Sequence, residues 1–322
     1  MYDTLLPLIR KTRSNLSPAE FHEVVNVVFH DVEAAHYDEV HADMWSSLGR
    51  QAGLLAGDLS GLVADGAKLL DVGCGTGLST QLILDSSLGA HIGSVTLADT
   101  SAKMLERARL RADGWKIPAA LQSGPAESIE GKYDVILICS VLHHIPDIKK
   151  FLSTISALQD PGGVIIHLQD PNGDYLQDPQ YLARRTELES ARHRNFPKRI
   201  FGIVPKGTRL AAKRFLGMRS YIDEVNDRLL EKRAIAKRMT EEEIWSVTDI
   251  HVDGLPYSIG SGISLRKMAN SLKDYRLVSS RSYGFFGYLE SELPEAFQIR
   301  ERELIDHRGA NGRYLAATWV KS

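Results

Sequence analysis

Apolar residues recur at Phe21, Val24, Val25, Val28 and Val32 within LSPAEFHEVVNVVFHDVEAAHYDEVHADMWSSL. That spacing draws one face of an α-helix, and residues 1–66 read as helical throughout. Ser17, Pro18 and Glu20 mark a helix start: a capping hydroxyl, a proline at the first position and an acid in the first turn. From residue 68 the period changes. KLLDVG (68–73), SVTLAD (94–99), AALQSG (119–124), YDVILICS (133–140) and GVIIHLQD (163–170) are short β-type runs. Between them lie the helical stretches LSTQLILDSS, SAKMLERARLRADG and IPDIKKFLSTISALQD. Strands alternating with helices predict a parallel sheet covered on both faces. The near-continuous apolar runs at 133–140 and 163–167 suit strands with both faces buried.

Residues 172–250 break the alternation with the helical, basic stretches PQYLARRTELESARHR, GTRLAAKRFLG and RSYIDEVNDRLLEKRAIAKRM. Thr240 and Glu243 stand in capping-box positions and predict another helix start. A Gly/Ser-rich link (260–264) leads to a helix, LRKMANSLKDY, then to the strands RLVSSRSYGFF and GRYLAATWVK. The expected organisation is an N-terminal helical cap (1–66), a sheet-forming core (67–171), a helical basic insert (172–260) and the end of the core sheet (261–322).

Of the 322 residues 43% are hydrophobic and 25% charged, which is enough apolar surface to bury a core and excludes disorder as the main state. The formal charge of −2 disfavours an anionic partner only until its distribution is considered. Between Arg184 and Arg238 there are 16 basic and 6 acidic residues, a balance of +10, so the remainder carries −12. No basic region precedes the short apolar stretch of MYDTLLPLIRKTRS, so no signal peptide is expected, and the strongest apolar run, 133–145, is too short to span a bilayer. Cys74 and Cys139 form neither a disulfide framework nor a CxxC pair, and a reducing cytoplasm is the expected compartment.

The chemistry concentrates in KLLDVGCGTGLSTQL, where a strand ending at Asp71 meets a helix starting near Leu78. Gly73, Gly75 and Gly77 permit a tight turn and close ligand approach, and ligands of such sheets bind at the carboxyl ends of the strands. Leu78 and Thr80 stand where a GxGxxG dinucleotide fingerprint needs its last glycine. Asp99 ends the next strand, 22 residues after Gly77, in DTSAKML. GPAES (124–128), YDVILICSVLHHIPD and QDPGGVIIHLQDPN follow in order. This series resembles class I S-adenosylmethionine-dependent methyltransferases of the small-molecule type, closely over 68–171 and loosely over 263–321.

The resemblance implies an α/β fold, a doubly wound seven-stranded Rossmann-like sheet with an antiparallel last strand, and S-adenosylmethionine as cofactor with S-adenosylhomocysteine as product. It implies cofactor contacts from Tyr37, Asp71, Gly73, Cys74, Gly75, Gly77, Asp99, Thr100, Met104, Ala126, Glu127 and Ser140, with Asp99 at the ribose hydroxyls. Pro125 replaces the acid that the family often offers to the adenine, leaving Glu127, Gln122 or backbone groups for that contact. Cys74 and Cys139 are expected as small buried residues. Tyr37 either closes over the methionine end of the cofactor or is a half-buried tyrosine of an amphipathic helix.

An oxygen or carbon acceptor needs a base. His144 is the first candidate and His143 the second; His167, Asp170 and Tyr175 also stand at strand ends. His22, His30, His36 and His41, and the triplet Asp249, His251 and Asp253, lack an established ligand spacing, so no metal is expected. The expected partner is a small organic acceptor, with a second copy of the chain as a further candidate. No RNA-binding module is recognisable, yet the basic insert keeps open RNA or a carrier-bound substrate. Phe196, Phe201, Phe215 and Tyr221 in the insert are spaced like core anchors. A protein that binds the cofactor without methylating is the remaining alternative.

Overall fold

The computed structural model describes residues 2–175, 177–195, 220–260 and 262–322. The helices α1 (Leu6–Thr12), α2 (Pro18–Glu33), α3 (Tyr37–Val40) and α4 (Ala42–Asp58) come first. Ser17 and Glu20 form the predicted reciprocal cap: Ser17 N–H donates to Glu20 Oε2 at 2.9 Å, and Glu20 N–H to Ser17 Oγ at 3.4 Å.

The central unit then runs β1 (Ala67–Val72), α5 (Leu78–Leu84), β2 (Ile92–Asp99), α6 (Ala102–Ala112), β3 (Ala119–Ser123), β4 (Val135–Cys139), α7 (Ile148–Ala157) and β5 (Val164–Pro171). The remaining elements are α8 (Pro179–Asn195), α9 (Tyr221–Glu231), α10 (Glu241–Thr248), α11 (Leu265–Ser271), β6 (Tyr275–Tyr283), α12 (Glu295–Asp306) and β7 (Tyr314–Lys321). Seven strands form one sheet in the order β3-β2-β1-β4-β5-β7-β6. β1 to β5 are mutually parallel, and β7 runs antiparallel to both its neighbours. The order reverses between β1 and β4, where such sheets open a crevice.

Alternation along β4 explains the two layers. Val135, Leu137 and Cys139 join the core that includes Leu48 and Leu55 of α4 and Ala108 of α6. Ile136 and Ile138 join the opposite core, with Phe151, Leu152 and Ile155 of α7 and Met268 of α11. A third core stands apart from the sheet. Phe21, Val25, Val28 and Phe29 of α2 pack with Val225 and Leu229 of α9 and with Ile244 and Val247 of α10. Helices α1 and α2 and the latter part of the insert therefore fold against one another as one layer.

Three expectations are corrected. The helix predicted through 239 stops at Glu231; Arg233 takes a left-handed conformation (φ 56°) and turns Ala234 and Ile235 into the third core. Helix α12 was not predicted, because its buried face is Phe297, Glu301 and Ile305, and a buried glutamate interrupts the apolar stripe. Tyr221 is 40% exposed rather than a core anchor. Phe196, Phe201, Phe215 and the stretch GTRLAAKRFLG lie outside the described residues.

Candidate active site

The loop after β1 turns back on β2: Gly73 N–H and Cys74 N–H donate to the Ala98 carbonyl at 2.8 and 3.0 Å. Gly73 has φ 69°, and a Cβ there would stand 2.6 Å from Val141 Cγ2. Gly75 (φ 52°) faces open space, where a Cβ would meet nothing within 4 Å. The buried Asp71 carboxylate accepts hydrogen bonds from Ser79 Oγ at 2.8 Å and Thr80 Oγ1 at 2.6 Å, so it anchors the start of α5 to the sheet. Burial pushes its pKa up to about 6 against those two bonds.

Asp99 ends β2 beside this loop. Its carboxylate accepts the Gly75 N–H at 2.9 Å and the Ser101 N–H at 2.8 Å. Burial raises its pKa, opposed by these backbone bonds.

One cavity of about 380 Å³ opens above the loop, within the range of small-ligand sites. Of the sequence-predicted cofactor residues, Tyr37, Gly73, Cys74, Gly75, Asp99, Thr100, Met104, Ala126, Glu127 and Ser140 line it. Two do not. Asp71 is wholly buried beneath the loop, and Gly77 is the left-handed cap of α5 (φ 77°), where a Cβ would stand 3.5 Å from Ala108. Both hold the cradle rather than face it. Glu127 lies at the rim and pairs with Lys150 Nζ at 2.9 Å. Gln122 lies off the cavity, donating to the Tyr133 hydroxyl at 3.2 Å. Tyr37 sits between His41 and Trp45, at ring distances of 4.5 and 6.0 Å. Burial raises the Cys74 and Cys139 thiols well above their usual range, which suits buried packing residues.

The cavity continues to a wall built by α2 and the end of β4, where His22, Asn26, His30 and His144 line it. His22, Asn26 and His30 are four residues apart, a polar stripe beside the apolar face of α2. Asn26 was missed in the sequence, although this spacing would have revealed it. Its Oδ1 and the Trp45 Nε1 are buried without partners, so the wall offers a free acceptor and a free donor to whatever fills it.

His143 and His144 diverge. His144 faces the cavity and its Nδ1–H donates to the Thr248 carbonyl at 2.7 Å. Burial and then the neighbouring His143 and His30 hold its pKa well below the usual histidine range. His143 lies off the cavity, its Nδ1 bonded to Asp170 Oδ1 at 2.6 Å. Burial opposes a charge on it, but the Asp170 bond prevails and its pKa rises. Asp170 also accepts from His167 Nε2 at 2.7 Å. The pairing depends on a bulge: the β5–β7 register shifts between Leu168 and Asp170, and Gln169 has φ 65°. The extra residue puts His167 and Asp170 on one side of the strand. Burial would raise the Asp170 pKa, but these two histidines carry it far below the usual carboxylate range.

Tyr175 packs edge-on against Tyr181 at 4.6 Å, outside the cavity. His36 and Asp253 are exposed, and His251 Nε2 bonds the Ile145 carbonyl at 2.9 Å. The triplet Asp249, His251 and Asp253 is not a strand and does not converge.

These residues fit a nucleoside carrying a charged amino-acid arm. A buried carboxylate stands at the edge of an open glycine loop, and aromatic and apolar side chains close the remainder.

A family model described as a methyltransferase domain matches residues 70–165. Lovastatin diketide synthase of Aspergillus terreus is 36% identical over 109 residues, covering 31% of this chain and 4% of that protein. Ubiquinone biosynthesis O-methyltransferase of Rhodopseudomonas palustris is 28% identical over 157 residues, covering 42% of this chain and 59% of that one. The chain thus spans less than two thirds of these curated relatives. Among solved structures, mitomycin 7-O-methyltransferase aligns with a TM-score of 0.42 at 16% identity, covering 85% of this chain and 54% of the other. Residues 70–165 of this chain match a methyltransferase domain.

Proposed function

We propose that the chain moves a methyl group from S-adenosylmethionine to an oxygen, nitrogen or carbon atom of a small organic acceptor. The observation that carries this reading is the continuity of the cavity from Gly73, Gly75 and Asp99 to the wall of His22, Asn26, His30 and His144. The sulfonium supplies an already activated methyl electrophile when bound, so the work left to the chain is orientation and exclusion of water. Asp99 and the glycine loop hold one end. Helix α2 roofs the other, and its own apolar core keeps it in place. An oxygen or carbon acceptor also has a proton to lose. The His144 end offers an uncharged imidazole, with the Asp249 carboxylate 3.6 Å from its Nδ1. The curated O-methyltransferase relative makes oxygen the first acceptor to assay.

The reaction runs in the cytoplasm in this reading, where buried thiols stay reduced; among the described residues no helix is long and apolar enough to cross a membrane. The basic insert supports a macromolecular acceptor less than its charge suggests. Of its 16 cations, eight have described side chains. Arg184 and Arg192 bond backbone carbonyls, while Arg185, Arg228 and Arg238 pair with Glu189, Glu224 and Asp227.

Calorimetry with S-adenosylhomocysteine, followed by labelled methyl transfer to a panel of phenols, enols and amines, tests the proposal. We expect one cofactor site per chain and label in at least one small acceptor. Absence of binding ends the reading; binding without transfer to any acceptor supports a non-methylating cofactor binder. Nucleic-acid retention with a steep salt dependence would move the acceptor class to RNA.

A further inference from the structure

We propose that the chain binds one divalent transition-metal ion of the zinc type beside the acceptor end of the cavity, through His143, His144 and Asp249. The site rests on its own geometry; only the role given to the ion depends on the methyl-transfer reading above.

One ring nitrogen of each histidine and one carboxylate oxygen of Asp249 all lie within 4.8 Å of one another. His143 Nε2 stands 3.5 Å from Asp249 Oδ1, and His144, whose Nδ1–H donates to the Thr248 carbonyl at 2.7 Å, keeps its lone pair on Nε2. The 3.5 Å separation is too long for a good hydrogen bond. It is close to the ~3.3 Å that separates neighbouring ligands placed about 2.0–2.1 Å from a tetrahedral ion. Among the described residues no hydrogen-bond donor satisfies the Asp249 carboxylate. A half-buried carboxylate facing two imidazoles at this spacing is an arrangement that a cation completes.

The surroundings are those of a ligand set. A carbonyl or carboxylate can only accept, so a ring nitrogen bonded to one carries the hydrogen and leaves the other nitrogen with a lone pair. His143 Nδ1 is held by Asp170 at 2.6 Å, and Asp170 is held in turn by His167. That leaves His143 Nε2, which faces Asp249, as the nitrogen of this ring open to a metal ion. A carboxylate behind a histidine is the usual support of a metal-binding imidazole. His30 has the same preparation: its Nδ1 bonds the Asn26 carbonyl at 2.9 Å, and its ring lies edge-on 5.1 Å from His144. It stands on the same wall of the cavity as His144. No local spacing could announce this site, because the β4 end and the α10 end each contribute.

In the methyl-transfer reading, positive charge here favours the oxygen anion of an acceptor hydroxyl. The O–H proton leaves to solvent, the oxygen electron pair forms the new bond to the methyl carbon, and the broken carbon–sulfur pair stays on sulfur.

The test uses the full chain, stripped with a chelator and titrated with Co²⁺, whose visible absorption reports a nitrogen- and oxygen-ligated tetrahedral site. We expect one Co²⁺ per chain, displaced by Zn²⁺. Affinity should drop at least tenfold in Asp249→Asn and in His144→Gln, and stay unchanged in the exposed His36→Gln. S-adenosylhomocysteine binding by the same samples shows that each variant is folded and keeps a metal failure distinct from a failure of the cofactor reading. A chain that binds S-adenosylhomocysteine but takes up no stoichiometric Co²⁺ or Zn²⁺ overturns the proposal. So does uptake that Asp249→Asn and His144→Gln leave unchanged.

Discussion

Asp99 has two tasks at once, and they make it the most informative residue of the cradle. Its two oxygens hold the N–H groups of Gly75 and Ser101, and the same carboxylate lines the cavity. A hydrogen bond to a charged group is worth about 1.5–3 kcal/mol. Asp99→Ala should therefore weaken S-adenosylhomocysteine binding by about 10- to 100-fold in calorimetry, and unchanged affinity would refute its place in the site. Gly73 makes the complementary, steric case. A methyl there meets Val141 Cγ2 at 2.6 Å and requires a left-handed backbone, each destabilising by about 1–3 kcal/mol. Gly73→Ala should lower the urea midpoint, and Val141→Ala added to it should restore the steric part only. No recovery in the double variant would mean that the backbone conformation alone decides. The cradle residues were legible in the sequence because local chain order carries them. Trp45 was not, because tertiary packing alone brings it to the cavity.

The same division appears among the elements. The strands between 67 and 171 announced themselves by runs of apolar residues, and the capping boxes at Ser17 and Thr240 by four-residue signatures. Helix α12 stayed hidden because Glu301 lies on its buried face. That glutamate accepts the Gly284 and Phe285 N–H groups at 2.6 and 2.9 Å, tying α12 to the end of β6. Burial pushes its pKa up to about 7, although the two backbone bonds pull the other way. The folded chain then binds more protons than the unfolded chain between roughly pH 4.5 and pH 7. Folding stability should therefore fall as pH rises through that window, by up to about 3 kcal/mol from this group. Urea denaturation at pH 5, 6, 7 and 8 measures it. The decline should be shallower in Glu301→Gln than in the natural chain, and identical slopes would remove Glu301 as its source.

At the scale of the whole molecule, the roof of the cavity is joined to the sheet by acids of the N-terminal layer. Asp31 of α2 accepts Ser101 Oγ at 2.6 Å and the Lys103 N–H at 3.3 Å. Asp38 of α3 accepts Thr76 Oγ1 at 2.5 Å and pairs with Arg111, whose Nε–H also donates to the Thr76 carbonyl at 2.9 Å. Thr76 belongs to the glycine loop, so the Asp38 latch spans the roof and the cradle directly. The third core holds the roof together without help from the sheet. The bonds of His144 to the Thr248 carbonyl and of His251 to the Ile145 carbonyl tie its far side to the end of β4, so parting the latches frees the α2–α3 side. Asp38 and Arg111 are both partly exposed, so breaking this pair should change folding stability by no more than about 1 kcal/mol. Its effect belongs instead to the rate at which the roof opens. Asp38→Ala should raise the dissociation rate of S-adenosylhomocysteine about tenfold while leaving the thermal midpoint nearly unchanged. Trp45 lines the cavity, so its fluorescence in a stopped-flow displacement experiment reports that rate. A dissociation rate equal to that of the natural chain would show that the latch does not control access. A large fall in the midpoint would show that Asp38 holds the fold itself rather than the door to the site.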